Sequence, residues 1–126
     1  MVMRPSRRRP PRFAIRVPVV CLVKMAPGMP KLMLRGYTVA ISEDGFQVAL
    51  PRAVRPGSMI ELALQTGWGP LLTEGKVIRG EERSKLQPVE ANIHHGIRFR
   101  RMTPEQRFVF ESFFISLIEA VSLREL

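Results

Sequence analysis

Residues 32–50 read LMLRGYTVAISEDGFQVAL, and the alternation within this stretch decides the fold class. Tyr37, Val39 and Ile41 share one parity, and after Glu43-Asp44-Gly45 the residues Phe46, Val48 and Leu50 continue on the other. Strand side chains alternate between faces with a period of two, so each set lies on one side of its strand. A three-residue loop ending in glycine is a common hairpin connection, because glycine adopts the left-handed conformation without steric cost. The stretch therefore predicts a hairpin with one shared apolar inward face, and with Thr38, Ala40 and Ser42 turned the other way.

Working outward, the same period recurs. Phe13 to Val23 is largely apolar and β-branched and reads as a strand, which Pro18 demotes to an edge or a bulge. Ala26-Pro27-Gly28-Met29-Pro30 is a turn, and Pro51 to Gly57 a longer one. Ile60, Leu62 and Leu64 alternate with Glu61 and Ala63; after a Gly67-Trp68-Gly69-Pro70 turn, a strand runs from about Leu71 to Arg79. Gly80 to Glu90 reads as a charged loop, and Ile93, Ile97 and Phe99 form a last strand. The period then changes. Thr103-Pro104-Glu105-Gln106 combines a capping Thr, a first-position proline and a Gln three residues on, the pattern of a capping box. Phe110, Phe113, Phe114, Leu117, Ile118 and Val121 follow at helical spacing. The expected fold is mainly β: a six-stranded antiparallel β-barrel over residues 12–126 with a C-terminal α-helix at about 103–122, preceded by a flexible basic arm at 1–11.

Composition fits one domain. The chain has 126 residues, 45% of them hydrophobic and 25% charged, which suits a globular domain and leaves room for a single core. The lone Cys21 excludes a disulfide scaffold and any all-cysteine metal cluster. The formal net charge is +9, and residues 1–16 account for two thirds of it, with Arg4, Arg7, Arg8, Arg9, Arg12, Arg16 and no acid. A basic arm on a near-balanced body points to an anionic partner. Arg16 and Pro18 interrupt the only apolar run that follows this basic start, and no segment approaches the ~18 apolar residues of a membrane span. We expect a cytoplasmic protein without a membrane span.

Enzyme signatures fall short. His94-His95 would place its rings on opposite faces of a strand, so they cannot converge on one metal, and both read as structural. Gly67-Trp68-Gly69 begins like a dinucleotide loop, but Leu72 stands where a third glycine belongs. Trp68 reads as partly packed in its turn rather than as a base-stacking platform. No catalytic residue, metal ligand or cofactor is assigned, and the chain is not expected to be an enzyme.

What remains is Arg8-Arg9-Pro10-Pro11-Arg12 and Ala40-Ile41-Ser42-Glu43-Asp44-Gly45. Two arginines four apart on an extended arm offer planar forks that match the O6/N7 edge of guanine or the oxygens of a phosphate. Ser42 faces outward as donor or acceptor, and Gly45 leaves its backbone open to close approach. In this order the two segments resemble the PilZ domain, the bacterial receptor module for cyclic di-GMP. Its Arg-x-x-x-Arg motif is matched by Arg8 and Arg12, and its Asp/Asn-x-Ser-x-x-Gly motif by Ser42 and Gly45. A Gly-Ile-Arg-Phe strand, Gly96 to Phe99, running into a Thr-Pro-Glu helix start extends the resemblance over nearly the whole chain. One position departs: Ala40 stands where the family has the Asp or Asn that accepts hydrogen bonds from guanine. Glu43 and Asp44 of the turn are the acids that could substitute, though neither has the same direction.

The resemblance implies a cyclic di-GMP site of Arg7, Arg8, Arg12, Ser42 and Gly45. Arg7 extends the motif to the form found in members that hold two stacked ligands. Arg9 adds steering charge. Independently of the resemblance, strand alternation puts Arg98 and Arg100 on the outward face with Gly96, where Gly96 and Arg98 either flank the ligand or belong to a solvated strand face. The resemblance further implies that binding folds the arm over the barrel and signals to an unidentified protein partner in motility, adhesion or polysaccharide secretion. A degenerate protein–protein adaptor without nucleotide binding is the alternative, supported by Ala40. The Phe-rich helix is expected to cover the barrel, or else to form a homodimer interface. Few aromatics accompany the arm arginines, so stacking on single-stranded nucleic acid is not expected.

Overall fold

Strands with apolar residues at every second position need a covered side. In the computed structural model, which describes residues 12–82 and 93–125, they find it by closing on themselves. Strands β1 (Pro18–Val23), β2 (Leu32–Ser42), β3 (Gly45–Leu50), β4 (Met59–Thr66), β5 (Gly69–Glu82) and β6 (Ile93–Arg101) are followed by helix α1 (Pro104–Glu125). The strands form the closed six-stranded antiparallel barrel that the periodicity predicted, and they do so in the order β1-β2-β3-β6-β5-β4. Val19, Cys21 and Val23 of β1 and Ile60, Leu62 and Leu64 of β4 point into the core together with Leu71, Val77 and Ile97. Burial pushes the Cys21 thiol up to about 12, so this residue is an inert core side chain.

The first strand starts later than its composition predicts. Pro18 opens β1, a position where the missing N–H is tolerated. Upstream the chain follows β2 without a regular ladder. Phe13 and Ile41 exchange N–H···O bonds of 2.8 and 2.9 Å, and Thr38 N–H donates to the Val17 carbonyl at 2.8 Å. The Thr38 hydroxyl accepts from Val17 N–H at 2.9 Å and donates to the Ile15 carbonyl, which is how a polar side chain 1% exposed is tolerated there.

The hairpin departs from its expected register. A β-bulge between Thr38 and Ala40 inserts one residue against β3. Upstream of it the buried positions are Leu34 and Thr38; downstream the buried apolar position is Ile41. Tyr37 and Val39 are thus not part of the inward face. Tyr37 instead carries the Arg16 guanidinium 4.1 Å above its ring. The turn is also shorter than expected: Ser42 pairs directly with Gly45, leaving only Glu43-Asp44 between strands. Gly45 has no positive φ. A Cβ there would lie 1.9 Å from the Ile97 carbonyl oxygen, so this glycine serves the close approach of β3 to β6.

The expected charged loop begins too early. β5 continues through Gly80, Glu81 and Glu82, paired with His95, His94 and Ile93, because β6 offers these backbone groups a partner. The remainder of that loop, from residue 83, lies outside the described residues. The preceding turn shortens likewise to Gly67-Trp68, with Gly69 at φ 114° opening β5.

Helix α1 begins as predicted. Thr103 Oγ accepts from Gln106 N–H at 3.2 Å. The reciprocal half of the capping box is diverted: Gln106 Oε1 accepts instead from Leu72 N–H on β5, tying helix to barrel. Phe110, Phe113 and Phe114 are buried, with Phe110 4.9 Å from Phe99, Phe99 4.8 Å from Phe46, and Phe114 5.4 Å from Phe13. Ile118, expected on this stripe, is 41% exposed; the Val121 side chain lies outside the description.

Candidate functional site

Registers carry the outer surface of the barrel into ordered rows. Ala40 of β2, Gln47 of β3, Gly96 of β6 and Arg79 of β5 are successive partners across four strands. The next row is Ser42, Gly45, Arg98 and Lys76. Adjacent strands lie roughly 4.8 Å apart, so the two rows make a shallow floor of Ala, Gly and Ser with cations on its β5–β6 side. On the opposite side, the Phe13–Ile41 bridge sets Arg12 next to Ser42. A groove of about 250 Å³ lies over this floor, lined by Arg12, Ala40, Ser42, Gly45, Gly96 and Arg98, and also by Asp44, Gln47, Ile78 and Arg79.

The bulge at Val39 is what aims Ala40 and Ser42 outward, and Gly96 sets the opposite wall. A Cβ on Gly96 would meet the Cγ and Nε of Arg79 at 3.1 and 3.2 Å, so the Arg79 side chain lies across the bare backbone of this glycine. At the hairpin tip, Ser42 Oγ donates to Asp44 Oδ1 at 2.6 Å and sits 3.2 Å from the Gly45 carbonyl. The Asp44 carbonyl in turn accepts from Phe99 N–H at 2.9 Å, pinning the turn to β6. None of Arg12, Arg79 and Arg98 forms an ion pair with another described residue. The groove thus offers three guanidinium forks, one fixed carboxylate and a floor low enough for a flat ring. That set suits a polyanion carrying planar, hydrogen-bonding groups.

Of the residues singled out in the sequence, the structure brings Arg12, Ser42, Gly45, Gly96 and Arg98 to this one groove. Arg7, Arg8 and Arg9 lie outside the described residues. Arg79 and Gln47 were missed, whereas Asp44, one of the two turn acids considered as a replacement for the acid absent at position 40, does line the groove. No local signal marks Arg79, since its place across Gly96 is set by the irregular register between β5 and β6. Trp68 and the two histidines are not among the residues lining the groove. His95 is fully buried: its Nε2 accepts from Val54 N–H at 3.0 Å, so Nδ1 carries the proton and donates to the Ile93 carbonyl at 2.9 Å. Desolvation lowers its pKa, opposed in part by the hydrogen bond to Ile93, which favours the charged ring, and aided slightly by the neighbouring His94. Among the described residues no three His, Cys, Asp or Glu side chains are grouped to hold a metal ion. No helix there is long and apolar enough to cross a membrane.

A family model described as the PilZ domain matches residues 6–115. Among solved structures, the chain is similar to the PilZ domain with c-di-GMP of YcgR from Escherichia coli. That match has 19% identity and a TM-score of 0.68, and covers 95% of this chain and 98% of that one. The PilZ domain of CeSA from a cellulose-synthesizing bacterium matches at 17% identity and TM-score 0.54, covering 91% and 98%. YcgR from Escherichia coli in complex with c-di-GMP matches at 22% identity and TM-score 0.59, over 94% of this chain and 51% of that longer one. No curated protein sequence matches the chain. At these identities the structural matches speak for the fold.

Proposed function

As the chain belongs to the PilZ domain family, we propose that its groove receives cyclic di-GMP and that the protein is a receptor for this second messenger, not a catalyst. The observation that carries the reading is the convergence of Arg12, Ser42, Gly45 and Arg98 on one floor of bare backbone and small side chains. Two solved structures similar to this chain, the PilZ domain of YcgR and the longer YcgR chain, contain c-di-GMP. In this reading Arg8 and Arg12 supply the two forks of the motif. Arg7 and Arg9 add charge to the arm, and Gly96 and Arg98 border the ligand. Binding then orders residues 1–11 over the barrel, and the changed surface is read by a protein partner; the ligand drives that change by preferring the folded-arm state.

Titration calorimetry of the full chain with cyclic di-GMP tests this directly. Saturable heat with a dissociation constant at or below about 100 μM, lost in Arg12→Ala, is the expected result. No heat at about 500 μM ligand would overturn it. Ala40, whose methyl lines the groove, favours one other reading, a protein–protein adaptor that has lost the nucleotide. A natural chain that binds nothing, with an Ala40→Asp variant that does bind, is the outcome which selects the adaptor.

A further inference from the structure

Asp44 stands out in the groove. It is the only acid among the described residues that line the groove, which also include Arg12, Arg79 and Arg98, and it is ion-paired with none of these three. Its position is fixed twice: the backbone carbonyl accepts from Phe99 N–H at 2.9 Å, and Oδ1 accepts from Ser42 Oγ at 2.6 Å. One hydroxyl uses a single lone pair, so both oxygens of an ionised carboxylate keep acceptor capacity. Guanine presents two parallel donors, N1–H and the exocyclic amino group, along its Watson–Crick edge. Adenine presents an acceptor at the corresponding ring position and so opposes a carboxylate. The row beneath offers no acid, since position 40 is an alanine.

We propose that Asp44 is the specificity-determining residue of this groove, accepting the N1–H and amino donors of a guanine whose phosphates are held by the surrounding arginines. This rests on the cyclic di-GMP reading above and adds to it the residue that selects the base. A fixed carboxylate needs no ordering when ligand arrives, which is where a preorganised contact gains affinity. The missing acid at position 40 is thereby replaced from the turn.

The test uses the full chain, its Asp44→Asn variant, and two probes, cyclic di-GMP and cyclic di-IMP, which lacks the exocyclic amino group. Asparagine keeps an oxygen for Ser42 and so preserves the turn, which an unchanged thermal midpoint verifies. The natural chain should prefer cyclic di-GMP by about tenfold or more. Asp44→Asn should lose about 10- to 100-fold for cyclic di-GMP while its preference over cyclic di-IMP disappears. Adding Ala40→Asp to that variant should restore both. A merely structural role for Asp44 predicts equal weakening toward both probes. Equal weakening, or an Asp44→Asn variant that keeps natural affinity and preference, overturns the proposal while leaving the receptor reading standing. Failure of the natural chain to bind either probe overturns both together.

Discussion

The two sides of the β2–β3 hairpin are built from alternate residues of one stretch, yet they obey different rules. On the inner side Ile41, Phe46, Val48 and Leu50 are 0–3% exposed, and Phe46 stacks edge-on against Phe99. Burial of this kind, at roughly 25 cal/mol per Å² of apolar surface, is what stabilises the barrel. The outer side carries Ala40, Gln47, Ser42 and Gly45, small or polar residues that line the groove. Inner residues are therefore constrained by volume, and outer ones by what must approach them. The exceptions are instructive. Gly45 looks outward but is fixed by the fold, since any side chain would strike the Ile97 carbonyl. His95 looks inward but is polar, and is tolerated because both ring nitrogens are bonded.

Three measurements strain this division, starting with the largest effect. Phe110→Ala removes the ring that bridges α1 to Phe99 and Phe46, and should cost about 3–5 kcal/mol in urea unfolding. A loss below about 1 kcal/mol would mean the aromatic cluster is not what seals the barrel. His95→Leu leaves the buried Val54 N–H without its acceptor, removes the donor to the Ile93 carbonyl, and should cost about 1–3 kcal/mol at neutral pH. In the natural chain the folded imidazole has the lower pKa, so the unfolded state binds the proton more readily. This contribution is fully present above the ordinary value of 6.5 and is lost as pH falls through the lowered folded value. A urea series from neutral to acid pH should show that decline, and its His95 component should vanish in His95→Leu. Smallest in stability is Arg79→Ala, expected within about 0.5 kcal/mol of the natural chain because the side chain is exposed. Its cyclic di-GMP affinity should nonetheless fall about tenfold, with a weaker salt dependence. A melting shift without an affinity change would place Arg79 with the fold instead.

The barrel was legible because period-two alternation is imposed by the inside, and the inside is apolar. Ile60, Leu62 and Leu64 announce β4 without help from any other residue. The bulge at Val39 was not legible, since Tyr37-Thr38-Val39-Ala40-Ile41 alternates equally well in either phase, and only pairing with β3 decides. Gly80-Glu81-Glu82 reads as loop by composition; its strand conformation comes from β6, a partner beyond any local window. Among the groove residues, Ser42, Gly45 and Arg12 could be singled out because they sit in short spaced patterns. Arg79 could not, because its place depends on which glycine of another strand lies beside it.

The pairing of β3 with β6 joins residues as distant in the chain as Gly45 and Arg98, whereas β4 meets β5 through a tight turn. Contacts of such long sequence separation cost loop-closure entropy before they return any energy, and they slow folding. The groove straddles this seam, taking its floor from β2 and β3 and its cationic wall from β5 and β6. It therefore comes into being only when the barrel has closed. A ligand resting there discriminates finished molecules from half-assembled ones, and at a hundredfold excess over its dissociation constant it holds the seam shut by about 2.7 kcal/mol. The place where the chain is slowest to agree with itself is also where an outside molecule can clamp the result.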